Sequence, residues 1–400
     1  MKTSTKVKSK DGSEASRHIS ERTTLELWVR SGGRCALCNK FLLEEPWYEC
    51  PINLGERAHI AGWTDALGSP RGDSSLPVPE RNDSKNLVLL CQDCHTVIDH
   101  AATRAAYPEE VLLEIKRSHE ERIHHLTDMA HDRETTVLRV FGMIRGSMPE
   151  MARDQAMRTV VDAAGRYARF PLAVDRHSIE LDLSQIPEPE DLADGSYWRI
   201  GRMKIDGVAA RIAEAVRDKH IRHISVFAMA RIPLMVYLGY ALDDKVPVDL
   251  YQKHRGKDEN WMWPEDEPAA SFESRRVKDG STGTGAVVVL SLSGTIALAD
   301  LPAEVAEFPV YELRPVGVTP NPNLFRSRAT LDAFARTFQD LLAELGQTDK
   351  NVDGIHLFGA VPITAALACG RTVMRHVHPP VRVYDWIGNG FQLALTFNEP

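Results

Sequence analysis

Apolar residues in the first third of the chain recur at the spacing of amphipathic helices, with charged residues between them. The segment YPEEVLLEIKRSHEERIHHLTDM keeps this spacing over several turns, and ERTTLELWVRSGGR keeps it over a shorter stretch, so both are predicted to be helices. The run TTVLRVFGMI is apolar and β-branched, which predicts a strand, and the following PEMARDQAMRTVVDAAGRY again has a helical pattern.

From about residue 166 the same order of elements occurs twice. Each copy has a long helix, a short apolar strand, a proline-containing turn into a second helix, and a closing strand. The first copy consists of GRMKIDGVAARIAEAVRDK, HISVF, RIPLMVYLGYAL and VPVDLYQ, and the second of LDAFARTFQDLLAELG, GIHLF, VPITAALACGRTVM and PVRVYDW. The residue pairs that keep this order are Phe227 and Phe358, Pro233 and Pro362, Gly239 and Gly370, and Tyr251 and Tyr384.

Helices that alternate with short buried strands favour parallel sheets. We therefore predict an α/β fold over residues 166–400, made of two Rossmann-like halves at about 166–300 and 301–400, with residues 131–165 as a linker and the start of this domain. A ligand between the halves would contact the loops that leave the strand ends. Two unrelated α/β segments would show the same order of elements, so duplication is one of two interpretations.

Composition narrows the class of protein. A chain of 400 residues is expected to form two or three domains. No apolar run approaches the ~20 residues of a membrane span, and residues 1–19, which are polar and rich in lysine, lack the apolar core of a signal peptide. We therefore expect a disordered arm at residues 1–19 and a cytoplasmic protein without membrane partners. The net charge of −8 argues against tight, constitutive binding of nucleic acid.

The cysteines are the strongest chemical signal in the sequence. Two CxxC pairs, CALC and CQDC, contain Cys35, Cys38, Cys91 and Cys94. In a reducing compartment such pairs favour metal binding over disulfides, and four thiolates complete the tetrahedral shell of a structural zinc ion. A redox-active CxxC would instead require a thioredoxin-like βαβ context, which these segments lack. The remaining cysteines, Cys50 and Cys369, are expected to be buried thiols.

Two histidines and an asparagine accompany the cysteine pairs: His59 in RAHIAG, Asn86 in NLVLL, and His95 directly after CQDC. With CALC, AHI, SPRGD, NLVLLCQDCH and ID, the segment of about residues 22–105 resembles the HNH endonucleases. In that family a ββα-metal site carries a histidine, an asparagine and a histidine in this order, often braced by a four-cysteine zinc site. The resemblance implies an α+β HNH domain at residues 20–130.

By this resemblance His59 is the general base, Asn86 orients the metal-binding loop or the base, and His95 binds the catalytic divalent ion. The chemistry of the side chains agrees with these roles. Histidine titrates near neutral pH and can deprotonate a water, while Mg²⁺ or another hard divalent cation neutralises charge on a scissile phosphate.

Ala58 departs from the family pattern, since many HNH proteins place an acidic residue or a histidine just before the base as a second metal ligand. Glu56, Asp65 or Asp73 could take this role, and their spacing does not choose among them. Arg71 in SPRGD is a candidate phosphate contact, although an arginine in a loop of this composition is more often simply solvated.

The second part of the chain resembles the SAVED domain, a fusion of two CARF-like halves that binds cyclic oligonucleotides. The resemblance is carried by GIHLFGAVPITAALACGRTVM, by VRVYDW and by the doubled architecture, and the whole chain resembles the HNH-SAVED effectors of bacterial CBASS anti-phage systems. It implies that a cyclic dinucleotide of the cGAMP kind binds the SAVED domain. Binding would drive assembly of a homo-oligomer, a tetramer, whose HNH domains degrade double-stranded DNA.

The candidate ligand contacts are inferred from chemistry, because phosphates call for arginines or backbone amides and flat bases call for aromatic platforms. Near the predicted strand ends these candidates are Trp198, Arg199, Arg231, Trp261, Trp263 and Gly359. The glycine is included because it would allow close approach of the backbone to the ligand. For the others, a core tryptophan or a surface arginine is the competing interpretation.

Residues 1–130 contain 17 lysines and arginines against 20 aspartates and glutamates, so a single HNH module should bind duplex DNA weakly and benefit from assembly. Two other functions remain open on the sequence. The protein could be an HNH restriction-type endonuclease whose C-terminal domain reads DNA. It could also be a zinc-containing nucleotide-binding scaffold whose HNH site is catalytically dead because of Ala58.

Overall fold

Two compact units make up the chain, one ending at Met129 and the other beginning at Ala130. The computed structural model describes residues 6–8, 14–45, 50–149, 151–168, 179–190, 195–254, 260–264, 268–280, 285–348 and 352–399. In these ranges, every helix is too short or too polar to cross a membrane.

The first unit consists of short antiparallel strand pairs and α-helices. Its strands are β1 (Lys6–Lys8), β2 (Glu14–Ser16), β3 (Glu44–Glu45), β4 (Cys50–Pro51), β5 (Gly55–His59) and β6 (Leu87–Cys91). Its helices are α1 (Glu21–Arg30), α2 (Gln92–Asp99) and α3 (Glu109–Thr127). The strands pair β1 with β2, β3 with β4 and β5 with β6. The disordered arm predicted at residues 1–19 is thus partly wrong, because two of its segments form the β1–β2 hairpin.

One apolar core holds β5, β6 and α2 in place. β6 is buried along its whole length, as its continuous apolar run LVLLC predicts, whereas in β5 only Ala58 is buried. Leu27 of α1, Ile98 of α2 and Leu112 of α3 pack into the same core. Burial of each such side chain contributes about 1.5–3 kcal/mol, so the strand pair and α2 form a rigid platform.

The second unit contains two sheets and the helices that cover them. Its strands are β7 (Glu134–Phe141), β8 (Tyr167–Ala168), β9 (Ile179–Asp182), β10 (Ile224–Met229), β11 (Val248–Tyr251), β12 (Phe272–Lys278), β13 (Ala286–Ser291), β14 (Val310–Pro315), β15 (Ile355–Ala360), β16 (Val381–Ile387) and β17 (Gly390–Phe397). Its helices are α4 (Arg153–Ala164), α5 (Ser196–Arg217), α6 (Ile232–Leu242), α7 (Arg328–Thr348) and α8 (Ile363–Thr372).

The first sheet is parallel and has the order β11–β10–β7–β8, with β9 also paired to β7. Its central strand β7 is the segment TTVLRVF, so residues 131–165 are part of the first half rather than a linker to it. The second sheet has the order β12–β14–β13–β15–β16–β17. It is parallel in its interior, as predicted, but its edge strands β12 and β17 run antiparallel to their neighbours.

The two halves repeat the same local structure, in the order of elements that the sequence predicted. On β10 and β11, Phe227 lies opposite Tyr251 and the rings stack with centroids 4.3 Å apart. On β15 and β16, Phe358 lies opposite Tyr384 with the same 4.3 Å separation. The boundary between the halves lies between Tyr251 and Phe272 rather than near residue 300, because β12 and β13 belong to the second sheet.

Helices α6 and α8, which occupy equivalent positions in the two halves, pack directly against each other. Gly239 of α6 and Gly370 of α8 are both buried in this contact. The helix pair therefore joins the halves through backbone as well as side chains.

Candidate active site

The first unit brings the predicted histidines and asparagine together on a ββα arrangement. β5 and β6 pair antiparallel with His59 opposite Leu87, and α2 follows β6 directly and packs on both strands. His59 ends β5, Asn86 immediately precedes β6, and His95 lies in the first half of α2. The strand order and the position of α2 thus bring His59 and His95, which are 36 positions apart in the sequence, onto one small platform.

Asn86 holds the loop that follows β5. Its side chain is buried, its Oδ1 accepts a hydrogen bond from the Ala61 backbone N–H at 2.8 Å, and its Nδ2 donates to the backbone oxygens of Ala61 at 2.9 Å and Arg81 at 2.8 Å. Of the two roles predicted for Asn86, the structure therefore places it in the first, as a brace of the loop. The ring of His59 is contacted by another asparagine, Asn82, at 2.8 Å from Nε2.

His59 is half-buried, and its ionisation reflects that position. Burial lowers the pKa of His59, although the hydrogen bond with Asn82 opposes this effect, and the nearby positive charges of His95 and Arg17 lower it further. A lowered pKa keeps the imidazole neutral near pH 7, the form in which it can accept a proton.

His95 lies between two carboxylates. Its Nδ1 is 2.6 Å from Oε2 of Glu56, and its Nε2 is 3.3 Å from Oδ2 of Asp99. The hydrogen bond with Asp99 raises the pKa of His95 against the opposing effect of burial, and the bond with Glu56 adds to the rise. Among the residues suggested for the second ligand, Glu56 is the one that contacts His95. An imidazole nitrogen with a carboxylate oxygen is a donor set that divalent cations accept. Glu56 and Asp99 contact different nitrogens of the ring, so a single cation would be held by His95 with one of the two carboxylates.

Asp99 was not predicted, although one signal pointed to it. It lies four residues after His95 on α2, and this spacing puts both side chains on one helix face. Burial raises the pKa of Asp99, but hydrogen bonds from His95 and Arg71 outweigh burial and hold it below its usual value.

Arg71 is neither a phosphate contact nor a solvated side chain, so both interpretations of it were wrong. Only 7% of its side chain is exposed, and it donates to Oδ1 of Asp99 at 2.6 Å. It also donates to the backbone oxygens of Ile60 at 2.6 Å, Ile98 at 3.0 Å and His59 at 3.2 Å. The guanidinium therefore connects the end of β5 to the end of α2.

Ala58 is fully buried in the core of the first unit. A carboxylate at this position would lie among apolar side chains, where ionisation is costly. The carboxylates that contact His95 belong instead to Glu56 and Asp99.

The four paired cysteines form one cluster that could hold a metal ion. Their sulfur atoms lie within 4.8 Å of one another, and in the part of the chain that the structure describes no other group of three or more His, Cys, Asp or Glu side chains is this close. The Cys94 backbone N–H donates to Cys91 Sγ at 3.5 Å at the start of α2. Burial opposes ionisation of Cys35, but backbone N–H bonds around its sulfur outweigh burial and lower its pKa. Four sulfur donors with this spacing fit a tetrahedral ion.

The two other cysteines differ from each other. Cys369 is buried, as predicted, and burial raises the pKa of its thiol. Cys50 is exposed, so the prediction that it is buried is wrong. It lies in the two-residue strand β4, both of whose residues are exposed.

The candidate ligand contacts in the second unit are divided by the structure into core and surface residues. Trp198 is buried on α5 against Tyr197, and Trp261 is buried against Phe227, so the competing interpretation, a core tryptophan, holds for both. Trp263 is half-buried and donates its indole N–H to the Leu250 carbonyl at 2.9 Å.

Arg199 and Gly359 stay predicted ligand contacts, and the structure describes only their surroundings. Arg199 lies on the exposed side of α5. A Cβ on Gly359 would be 3.5 Å from the nearest side-chain atoms, those of Val361, which is ordinary van der Waals contact. The space beside Gly359 is therefore not crowded by protein atoms, and its role toward a ligand stays a prediction.

Arg231 joins the two halves at the carboxyl ends of their strands. It caps α6 directly after β10, and its guanidinium is 3.0 Å from Asp385 of β16, 2.9 Å from Glu188 and 2.5 Å from Glu190. Three carboxylates thus surround one guanidinium that is only 3% exposed. Burial raises the pKa of Asp385, although the charge of Arg231 opposes the rise.

Backbone N–H groups also hold Glu188 beside Arg231. Its carboxylate accepts the N–H groups of Arg145 at 2.7 Å and Gly146 at 2.5 Å. The buried hydroxyl of Tyr197, whose pKa is raised by burial and influenced by the same acidic groups, has no hydrogen-bond partner among the described residues. The strand ends of the two halves therefore meet at a buried, polar and net acidic cluster.

Residues 205–397 match the family model of the SAVED domain, the SMODS-associated and fused to various effectors sensor domain. These residues form a SAVED domain. The match begins inside α5 and ends with β17, so it contains the second sheet and the strands β10 and β11 of the first. The SAVED prediction is confirmed over this range, and β7 to β9, which complete the first sheet, precede it.

Solved structures similar to the chain include SAVED/CARF-domain containing receptors named Cap4. The Acinetobacter baumannii receptor with the cyclic trinucleotide 2'3'3'-cAAA has a TM-score of 0.45 at 13% identity, over 77% of this chain and 61% of that chain. The same receptor with 3'3'3'-cAAA has a TM-score of 0.44 at 14% identity, over 76% and 61%. The Moraxella osloensis receptor has a TM-score of 0.42 at 13% identity, over 81% and 70%.

The chain spans 61% of the length of the Acinetobacter receptors, whose cyclic trinucleotides are the ligands of those proteins. A search of curated proteins by sequence gives no match.

Proposed function

We propose that this protein is a metal-dependent DNA endonuclease whose HNH-type unit is controlled by its SAVED domain, as an effector of CBASS anti-phage defence. The observation that carries the proposal is the ββα unit, which holds His59, Asn86 and His95 beside a cluster of four cysteines. The sensor half is supported by the SAVED match, since that family is described as a sensor domain fused to various effectors.

In the proposed reaction His59 takes a proton from the attacking water, a step for which a neutral imidazole is required. Burial lowers the pKa of His59 and so favours this form at neutral pH. Asn86 and Arg71 hold the backbone around His59, which limits its movement relative to α2. A bound divalent cation such as Mg²⁺ would neutralise charge at the scissile phosphate. His95 with Glu56 or Asp99 would hold that cation.

The cysteine cluster is proposed to bind a structural zinc ion rather than to take part in the reaction. Cys91 and Cys94 belong to the start of α2, the helix that carries His95. A metal bound by the cluster of Cys35, Cys38, Cys91 and Cys94 would therefore fix the position of His95 without contacting the substrate.

The ligand that we propose for the SAVED domain is a cyclic oligonucleotide, with a cyclic dinucleotide of the cGAMP kind as the first candidate. In α/β folds, ligands bind in crevices at the carboxyl ends of parallel strands, which is where Arg231 lies. A phosphate that reached Arg231 would replace one of its three carboxylate partners or accept a hydrogen bond from Nε, which has no partner among the described residues.

Assembly would explain how a module with a net negative charge could cut DNA. The first 130 residues carry more acidic than basic side chains, 20 against 17, so a single copy makes few net favourable phosphate interactions. A ligand-induced homo-oligomer, for which we propose a tetramer, would present several modules to one duplex and add their contacts.

The other functions considered on the sequence are less well supported. A restriction-type enzyme needs a C-terminal domain that reads DNA, whereas residues 205–397 match a sensor family. A catalytically dead scaffold was considered because of Ala58, yet Glu56 and Asp99 provide carboxylates next to His95.

The test is plasmid degradation by the full chain with Mg²⁺ or Mn²⁺ and a panel of cyclic di- and trinucleotides. We expect cutting with one or a few ligands, and none without a ligand or with EDTA. His59→Ala should abolish cutting while leaving ligand-induced assembly, measured by light scattering, unchanged. Equal cutting without any ligand would remove the sensor role, and undiminished cutting by His59→Ala would remove the assigned base.

A further inference from the structure

Asn82 contacts the proposed general base but lies outside the histidine–asparagine–histidine set. Its Oδ1 is 2.8 Å from Nε2 of His59. Asn82 belongs to the turn between two short 3-10 helices, Val78–Glu80 and Ser84–Asn86, and its side chain is partly buried.

Two backbone carbonyls define which end of the Asn82 amide faces the histidine. Nδ2 donates to the carbonyl of Ser16 at 2.7 Å and to the carbonyl of His18 at 3.3 Å. Carbonyl oxygens only accept hydrogen bonds, so the NH₂ group must face them and Oδ1 must face the ring. Because Oδ1 is itself only an acceptor, Nε2 of His59 carries a proton in this contact, and in the neutral ring the lone pair is on Nδ1.

The segment that supplies these carbonyls is itself held next to the loop after β5. The guanidinium of Arg17, between Ser16 and His18, lies over the ring of Trp63 at 4.8 Å from the centroid. Residues 16–18 therefore connect Asn82 to the loop that Asn86 braces.

We propose that Asn82 is a positioning residue for His59, which it holds as the Nε2-protonated tautomer with Nδ1 available to the attacking water, and that residues 16–18 hold Asn82 in this orientation. The proposal rests on the proposed nuclease function for its kinetic consequence. The hydrogen bonds that define the tautomer do not depend on that function.

Positioning partners of this kind usually contribute a factor of 10–100 to activity. Asn82→Leu keeps the size of the side chain and removes the acceptor, so kcat should fall about 10- to 100-fold with little change in KM for DNA. Asn82→Asp keeps an acceptor oxygen toward Nε2 but loses the NH₂ group that donates to the carbonyls of Ser16 and His18, so it should lose activity, though less than Asn82→Leu. Asn53→Ala is the matched control, because the Asn53 side chain accepts the Gly55 N–H at 2.9 Å in the turn before β5 and does not contact His59.

A double-variant comparison separates positioning from a structural role. If Asn82 acts only through His59, then Asn82→Leu added to His59→Ala lowers the residual activity no further. An additional loss in the double variant would overturn the proposal, as would unchanged kcat in Asn82→Leu or equal losses in Asn82→Leu and Asn53→Ala.

Residues 16–18 are tested by shortening the chain. Removal of residues 1–18 takes away both carbonyl acceptors and should lower kcat, as Asn82→Leu does. Removal of residues 1–5 is the control and should leave kcat unchanged. Full activity after removal of residues 1–18 would contradict the part assigned to this segment.

A second readout does not require DNA cleavage. Long-range ¹H–¹⁵N spectra of the histidine-labelled full chain, with His59 assigned from the His59→Gln variant, should show the Nε2-protonated tautomer in the native protein and a mixture in Asn82→Leu. If no ligand or metal elicits cutting, the proposed nuclease function fails while this measurement still decides the role of Asn82. An Nδ1-protonated His59 in the native protein would overturn it.

Discussion

Gly239 of α6 and Gly370 of α8 each lie against a backbone carbonyl of the other helix. A Cβ on Gly239 would lie 2.1 Å from the carbonyl oxygen of Leu367, and a Cβ on Gly370 would lie 1.8 Å from the carbonyl oxygen of Val236. Each of these carbonyls belongs to the residue three positions before the other glycine. The two halves of the SAVED-containing unit thus meet along a local two-fold relationship between α6 and α8.

Alanine at either glycine should destabilise the second unit. The added methyl group would meet backbone rather than a movable side chain, so we expect a loss of about 1–3 kcal/mol in unfolding free energy for Gly239→Ala and a similar loss for Gly370→Ala. Gly207→Ala on α5 is the control, because a Cβ there meets nothing within 4 Å and should stabilise the helix by about 0.5–1 kcal/mol. Urea denaturation measures all three, and unchanged stability in both contact variants would contradict the close packing.

His356 should make stability depend on pH. It is 8% exposed, it hydrogen-bonds to Tyr384 at 2.9 Å, and burial lowers its pKa to about 4. The unfolded state takes up a proton near pH 6.5 and the folded state only near pH 4, so stability falls as pH decreases between these values. This titration of His356 should make the unfolding free energy about 2 kcal/mol lower at pH 5 than at pH 7.5.

The His356→Asn variant isolates this contribution. Between pH 7.5 and pH 5 its unfolding free energy, measured by urea denaturation, should fall by about 2 kcal/mol less than that of the native protein, because the titrating ring is absent. Identical pH dependence in the two proteins would show that His356 is accessible to protons in the folded state.

Arg231 should be more important for stability than an ordinary arginine. Replacing it by methionine leaves Glu188, Glu190 and Asp385 without their shared cation, and removing one partner of a buried pair typically costs about 3–5 kcal/mol. The exposed Arg199 provides the comparison, because Arg199→Met should change stability by less than about 0.5 kcal/mol. Thermal unfolding followed by circular dichroism distinguishes the two, and equal midpoints would argue against a buried network.

Cys94 and His95 are neighbours in sequence but should differ in their effect on metal content. Cys94→Ser removes one sulfur from the cluster and should lose most bound zinc, together with the ordered start of α2. His95→Ala should keep about one zinc per chain and lose cutting. Cys50→Ser, outside the cluster, is the control for thiol substitution. Elemental analysis of the purified variants measures the number of zinc ions per chain. A full zinc content in Cys94→Ser would exclude the four-cysteine site.

The features that the sequence predicted well are those with a strict local spacing. Two CxxC pairs can bring four sulfurs together in few ways, and buried parallel strands are recognisable as apolar runs, so the cysteine cluster and the doubled α/β unit were predictable. The pairing of Phe227 with Tyr251 and of Phe358 with Tyr384 was visible as residue order alone.

Contacts made by loops were not predictable in the same way. Arg71 and Asn82 act through side chains that reach backbone groups far away in the chain, and no periodicity marks such a contact. For Trp198 and Trp261 the sequence left a ligand contact and a core position both open, because composition near a strand end does not tell which face of the backbone a ring occupies. Ala58, an apparent defect in the motif, became understandable once its side chain was found in the core.

The start of α2 has a practical consequence for the biochemist. EDTA, the usual means of stopping a magnesium nuclease, would also extract the ion that we propose for the sulfur cluster, and the helix that presents His95 begins at that cluster. Adding back Mg²⁺ alone to an extensively chelated sample should then fail to restore DNA cleavage. Adding zinc first and Mg²⁺ afterwards should restore it. Inactivation by a chelator that Mg²⁺ alone does not reverse would in this protein indicate the loss of a structural ion rather than of the catalytic one.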